Sequence, residues 1–377
     1  MEFKWDNKNI EKDIMKLEKK AQQEINLEKK YYYLKIINYT KSILQSEKIS
    51  TIRPYKTKLE TIINLNSNYL YKERYYDLIN IFYNNIKKNR ELLATTLENC
   101  DKIGNLSTSG YIENEDALTI MQEFFKNNSG DLYKYFKEIY EKRHETIRFS
   151  LTDICFEQFG LDGCCTYIDI LRKNYILIRN DEGISKLVNL AHECGHAISN
   201  LYYPKSVYNR PDEFLAEVPS IFFELVFNYE TGKQIDSFES SLLNIEKIEY
   251  FSQIAYNLEQ HKAIINEWEK NNYKIDNNMY QALKEKNKLT RTQINDSINT
   301  DIESDGQYIT GYMTALELFS IYKQDKKSAL QLLKKLIKQD EKDSIGLLMK
   351  YITFDNIEKE IEIQETEMNK ELLKKIK

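Results

Sequence analysis

Residues 190–199 read Leu-Ala-His-Glu-Cys-Gly-His-Ala-Ile-Ser. From Gly183 onward apolar residues recur with helical spacing, so this stretch is expected to be an α-helix. His192 and His196 are four apart, and on a helix both imidazoles leave one face, a turn apart. Two neutral imidazole nitrogens so placed can reach one Zn²⁺ ion, and one zinc per chain is the cofactor this pattern implies. Glu193 stands beside the first ligand. Its carboxylate can approach the open coordination position and take a proton from water there. Zinc lowers the pKa of such a water to about 7, and the carboxylate completes its activation. The chain has only four His, and two fall in this pentapeptide.

A zinc site of this kind needs a third protein ligand. After a loop rich in Tyr and Pro (Tyr202 to Pro211), the stretch Asp212 to Phe227 reads DEFLAEVPSIFFELVF and is expected as a second helix. Glu217 and Glu224 are seven apart and project from nearly one face, with Glu213 one turn before Glu217. Phe214, Leu215, Ala216, Val218, Ile221, Phe222 and Phe223 surround them. Carboxylates in so apolar a segment need a partner. One is expected to bind the metal and another to orient a ligand from behind.

Outward from these two segments the chain is poor in breakers, with 11 Gly and 4 Pro in 377 residues. That scarcity points to a mostly α fold. Residues from about 7 to 150 read as amphipathic helices, as in the spacing of Ile10, Ile14, Leu17, Ala21 and Ile25. Asn127 to Gly130 breaks the pattern, and Asp131 is placed to cap the next helix. Near Gly160 the period changes. Cys164–Ile170 and Tyr175–Ile178 are β-branched and aromatic runs with Leu171 to Asn174 between them, which predicts a hairpin. Helical spacing then continues to Lys377, with a charged tail from Asn356. The expected organisation is a helical N-terminal lobe over 1–150 and a catalytic domain over 151–377, with a soft boundary.

The formal net charge is −5, from 54 basic and 59 acidic residues, and no basic block stands apart. A nucleic-acid partner is therefore not expected. The N-terminus is charged from the start and lacks a signal peptide's apolar run. No run of 18 apolar residues exists, so no membrane span and a cytoplasmic location are expected. The five Cys show no framework spacing and are read as reduced thiols.

HECGHA followed by FLAEVPSIFFE resembles the thimet oligopeptidase and oligoendopeptidase F family of zinc metallopeptidases. The resemblance covers roughly residues 150 to 320. It implies a helical zincin-type metallopeptidase with a small hairpin or sheet at the edge of the active-site cleft. It implies Glu217 as third ligand and Glu224 as the acid behind it. Asn174 to Ile178 looks like the family's cleft-edge strand, so Tyr175, Ile176 and Leu177 are expected to bind an extended peptide through the strand edge, the alternative being an ordinary buried strand. Gln307 to Tyr312 looks like its tyrosine segment, with Tyr312 first and Tyr308 second as the phenol that stabilises an oxyanion. The expected lobe before the catalytic part is short for the family. Asp301, Ser304 and Asp305 occupy the stretch where the family tends to carry a further His. The implied activity is endopeptidase cleavage of short or unfolded peptides. The alternatives are a zinc carboxypeptidase or dipeptidyl carboxypeptidase of related helical fold, and a peptide-binding homologue that does not cut.

Overall fold

A computed structural model of the chain describes residues 7–24, 110–151, 162–168, 171–180, 183–203, 213–271, 275–298, 302–338 and 356–376, with a few isolated positions before 110. The helices expected over most of 25–109, most of the Tyr202–Pro211 loop, Asp212, Cys155 and Asp301 lie outside these residues. So do the side chains of Glu213, Phe214, Ser304 and Asp305. The described residues are mostly helical with one three-stranded sheet. Among them, no helix is long and apolar enough to cross a membrane.

The chain forms two compact units. The first contains α1 (Asn7–Gln23), α2 (Asn114–Asn128), α3 (Tyr133–Glu141), β1 (Ile147–Leu151), β2 (Gly163–Ile168), β3 (Lys173–Arg179) and α4 (Gly183–Tyr202). Between α2 and α3 a 3-10 turn over Gly130–Leu132 leads straight on, with Gly130 at φ 58°. The N-cap position of α3 falls on Leu132, which offers no side-chain cap, and not on Asp131: α3 continues directly from the turn. Phe125 of α2 stacks on Phe136 of α3, with ring centroids 4.4 Å apart.

The predicted hairpin is present. β2 and β3 pair antiparallel, with Cys164 opposite Leu177 and Cys165 opposite Ile176. Its turn is tight: the Leu171 amide donates to the Ile168 carbonyl at 3.1 Å, and Arg172 takes a left-handed φ of 48°. The third strand is new. β1 lies parallel to β3, with Ile147 opposite Ile176, although the sequence reading carried helix through residue 150. Ile147-Arg148-Phe149-Ser150-Leu151 alternates apolar and polar, the two-residue period of a strand. The short helical turn Arg143–Thr146 just before it masks that signal.

The sheet order is β1-β3-β2, and this corrects the expected edge strand. β3 is the middle strand. Both its backbone edges are paired at Ile176 and Leu177, and Tyr175 is paired with Thr166 of β2, so Ile176 and Leu177 offer a substrate peptide no free ladder. The side chains are committed as well. Tyr175, Ile176 and Leu177 are all buried. The Tyr175 hydroxyl donates to Asp13 Oδ2 of α1 at 2.7 Å, and Lys173 Nζ reaches the same oxygen at 2.8 Å. Burial alone would raise the Asp13 pKa; hydrogen bonds from Lys173, Tyr175 and Lys16 outweigh it and hold the carboxyl low. Around this cluster Ile14, Leu17 and Ala21 of α1 pack on Ile168 and Tyr175. Burying each large apolar side chain is worth about 1.5–3 kcal/mol.

The other sheet face carries α4. Asn174 Nδ2 donates to the Ala197 carbonyl at 3.1 Å, and Asn200 Nδ2 donates to Asn174 Oδ1 at 3.1 Å. Strand and helix are thereby tied at one point next to His196.

The second unit contains α5 (Glu213–Ala216), most of α6 (Val218–Phe227) and of α7 (Ser237–Lys270), α8 (Asn277–Asn287), α9 (Arg291–Ile298), α10 (Ile302–Gln324), α11 (Lys326–Ile337) and α12 (Ile357–Ile376). Asp276 caps α8, accepting from the Asn278 and Met279 amides, and Asp325 caps α11 in the same way. Such caps are worth about 1 kcal/mol each. Ile264, Ile265 and Trp268 of α7 meet Met279, Leu283 and Ile294 in one core cluster.

His261, buried on α7, is held neutral: burial pushes its pKa down to about 4, against a backbone hydrogen bond with Ser297. Between pH 6.5 and about 4 the unfolded chain binds a proton that the folded chain does not. Stability therefore rises with pH through that window and is complete above it. His261→Gln should narrow the difference in denaturant midpoint between pH 4.5 and pH 7.5. An undiminished difference would remove His261 from the acid limb.

Candidate metal centre

Helix α4 forms as its apolar spacing predicts. Leu187, Ala191, Cys194 and Ile198 recur at three- and four-residue steps and are fully buried. His192 and His196 lie beside that stripe and remain half-buried. Their ring centroids are 5.0 Å apart, with the planes at 75°. Glu193 is buried, 6% exposed. Burial pushes the Cys194 and Cys165 thiols up, and the Glu193 carboxylate adds to both shifts.

Glu217 is not in mid-helix, as the sequence suggested, but in the turn between α5 and α6. Pro219 supplies the reason. It has no amide hydrogen to give the Leu215 carbonyl, and its ring crowds that carbonyl, so the helix stops and restarts. Glu217 thereby becomes the residue that opens α6, its carbonyl accepting from the Ile221 amide at 3.1 Å. Ser220, fully buried, sets its Oγ 2.8 Å from the Glu217 carbonyl and 3.2 Å from Glu217 Oε2. One hydroxyl thus braces both ends of the residue. The reading of the sequence passed over Ser220; its position three residues after the acid was the available signal.

Gly311 of α10 was quoted only as part of the tyrosine segment. A Cβ built on it would lie 2.5 Å from the Glu217 Cβ and 3.3 Å from its backbone carbon. Neither atom can swing away, so only glycine lets α10 lie this close to Glu217.

The donor atoms of His192, His196 and Glu217 all lie within 4.8 Å of one another. Zinc takes nitrogen and oxygen ligands of these kinds, at about 2.0–2.2 Å. Two imidazoles and one carboxylate are also the donor set of a catalytic zinc with an open fourth position.

The remaining expected residues are placed as follows. Glu224 of α6 is buried and forms an ion pair with Lys247 of α7, a partner the sequence reading did not anticipate. Tyr308 and Tyr312 share α10. Tyr312 is fully buried, its ring stacked on Phe251 at 4.3 Å between centroids and 15° between planes. Burial, and next the charges of Glu224 and Glu360, push its phenol well above the ordinary range. Tyr308 is only half-buried.

The fold is similar to that of a candidate peptidase from Chlamydophila abortus, at 14% identity and a TM-score of 0.50, covering 83% of this chain and 56% of that one. It is similar also to a candidate oligoendopeptidase F, at 13% identity and a TM-score of 0.51, covering 79% of this chain and 58% of that one. The chain spans little more than half the length of these structures. No protein-family model matches the sequence, and no curated protein matches it. The helical fold with a small sheet, expected from the sequence, is therefore shared with oligoendopeptidase F-like structures.

Gly311→Ala should push Glu217 out of place and weaken zinc binding at least tenfold in competition with a chromogenic chelator. Undiminished affinity would mean that the close contact has no bearing on the ligand.

Proposed function

We propose that the chain is a zinc-dependent endopeptidase that hydrolyses short or unfolded peptides. The observation carrying this reading is the meeting of His192, His196 and Glu217 donors within 4.8 Å, with Glu193 adjoining the first of them in sequence. Zinc held there would supply a Lewis acid for the scissile carbonyl and an acidified water. Glu193 is the general base: it takes the proton of the attacking water and hands it to the leaving amine. Glu224, anchored by Lys247, is assigned to hold the ligand cluster from behind.

Two assignments change from the sequence reading. Tyr308 replaces Tyr312 as the first choice for the phenol that meets the oxyanion, because Tyr312 is sealed against Phe251. The extended substrate is assigned to β2, which has no strand on its outer side among the described residues.

Zinc analysis with mass spectrometry of a digested peptide mixture tests the reading. Internal cuts support it. Trimming by one or two residues from the C-terminus would make the chain a carboxypeptidase, and bound zinc without cleavage a peptide-binding protein. Glu193→Gln should keep zinc and lose turnover by about three orders of magnitude or more; retained turnover removes the general-base assignment. Glu217→Ala should leave well under one zinc per chain. Tyr308→Phe should lower kcat more than it raises KM, and Tyr312→Phe should act chiefly on stability. The reverse pattern restores Tyr312.

A further inference from the structure

We propose that Gly163 is a positioning residue for Glu193: the side chain it lacks is the space that seats the Glu193 carboxylate. This rests on the reading of Glu193 as general base. Gly163 is the first residue of β2 and pairs with Ile178 of the central strand. A Cβ built on it would lie 2.8 Å from Glu193 Oε1, 3.0 Å from Cγ and 3.2 Å from Cδ. All three contacts are to one side chain. The carboxylate end of Glu193 therefore lies over the bare backbone of the strand.

Backbone conformation does not require glycine here. Among the described residues the glycines at positive φ are Gly130 and Gly183, and Gly163 is ordinary extended chain. Glycine weakens a strand, since it contributes no side chain and loses the most conformational freedom. Close approach of another group is the remaining reason for a glycine at such a position. The residues next along the same face support it. Alternation puts Gly163, Cys165 and Tyr167 toward α4, and Tyr167 pairs with Asn174, whose amide bonds Ala197 of α4. Side-chain size therefore falls along this row toward Glu193, and reaches nothing where the carboxylate sits. The far end of a glutamate is flexible, so a methyl group at 163 is accommodated by turning the carboxylate aside. The fold survives and the base is misplaced. A displacement of about 1 Å in a catalytic group can cost about 10²-fold in rate.

The experiment is a double-mutant cycle between positions 163 and 193 on the full chain, read in two ways. In turnover, Gly163→Ala should lower kcat at least tenfold, with KM within threefold and zinc still near one per chain. In the Glu193→Asp background, whose shorter side chain leaves room for the methyl group, the same change should cost less than twofold further. An unchanged kcat, or an equal loss in both backgrounds, overturns the proposal. The second readout is the denaturant midpoint of the metal-free protein. Gly163→Ala should be more favourable in the Glu193→Ala background than in the parent, because the methyl group then meets no carboxylate. The same shift in both backgrounds overturns the seat. A parent that holds zinc and cuts no peptide defeats the functional reading alone, and the midpoints still decide whether Gly163 seats Glu193.

Discussion

Asn174 joins the chemistry of α4 to the middle of the sheet. Its side chain, buried on β3, donates to the Ala197 carbonyl and accepts from Asn200. Leaving such a buried amide without partners costs about 1–3 kcal/mol, so the strand and the helix have one preferred register. The stripe of Leu187, Ala191, Cys194 and Ile198 removes the remaining freedom by burying the rest of that helix face. His192 and His196 are then set beside the stripe, at its border with solvent. β3 in turn is held on its other face by Tyr175 and Lys173 on Asp13. A short strand paired along both edges and covered on both faces is fixed in place, and through Asn174 so is the helix that carries His192 and His196.

Glu217 and Glu193 each sit against a glycine, and the two contacts differ in kind. At Gly311 the neighbour is the Cβ and backbone of Glu217, which cannot yield, so the contact bears on the position of a whole residue. At Gly163 the neighbour is the end of the Glu193 side chain, which can rotate, so the contact bears on where that carboxylate sits and leaves the fold alone. Ser220 completes the first arrangement with a hydroxyl near both the carbonyl and the carboxylate of Glu217. Space and hydrogen bonding thus share the work of holding acids in surroundings where a loose charge is costly.

Much of this was legible along the chain because it depends on local spacing. The i, i+4 imidazoles, the apolar stripe of α4 and the hairpin of Cys164 to Ile178 all follow from periods of 3.6 and 2. The break at Glu217 was also local, since Pro219 two residues on cannot serve the Leu215 carbonyl, yet the strong apolar run around it read as one helix. β1 was hidden by the helical turn before it. The phenols show a different limit. Tyr308 and Tyr312 share a helix face by spacing, and only the stacking of Phe251 from a helix some sixty residues earlier separates a half-buried side chain from a sealed one.

By itself, then, the sequence determined the helix that carries His192, Glu193 and His196, the mostly α class, and the short list of acids in the apolar segment after it. Those features rest on interactions a few residues long. The tertiary structure decided that Lys173–Arg179 is a central strand and not an edge, and that Tyr312 is core. It also revealed what the two glycines face. Each of these depends on which segment lies against which across long loops, where pairing, burial and close approach are settled by the packing of the chain as a whole.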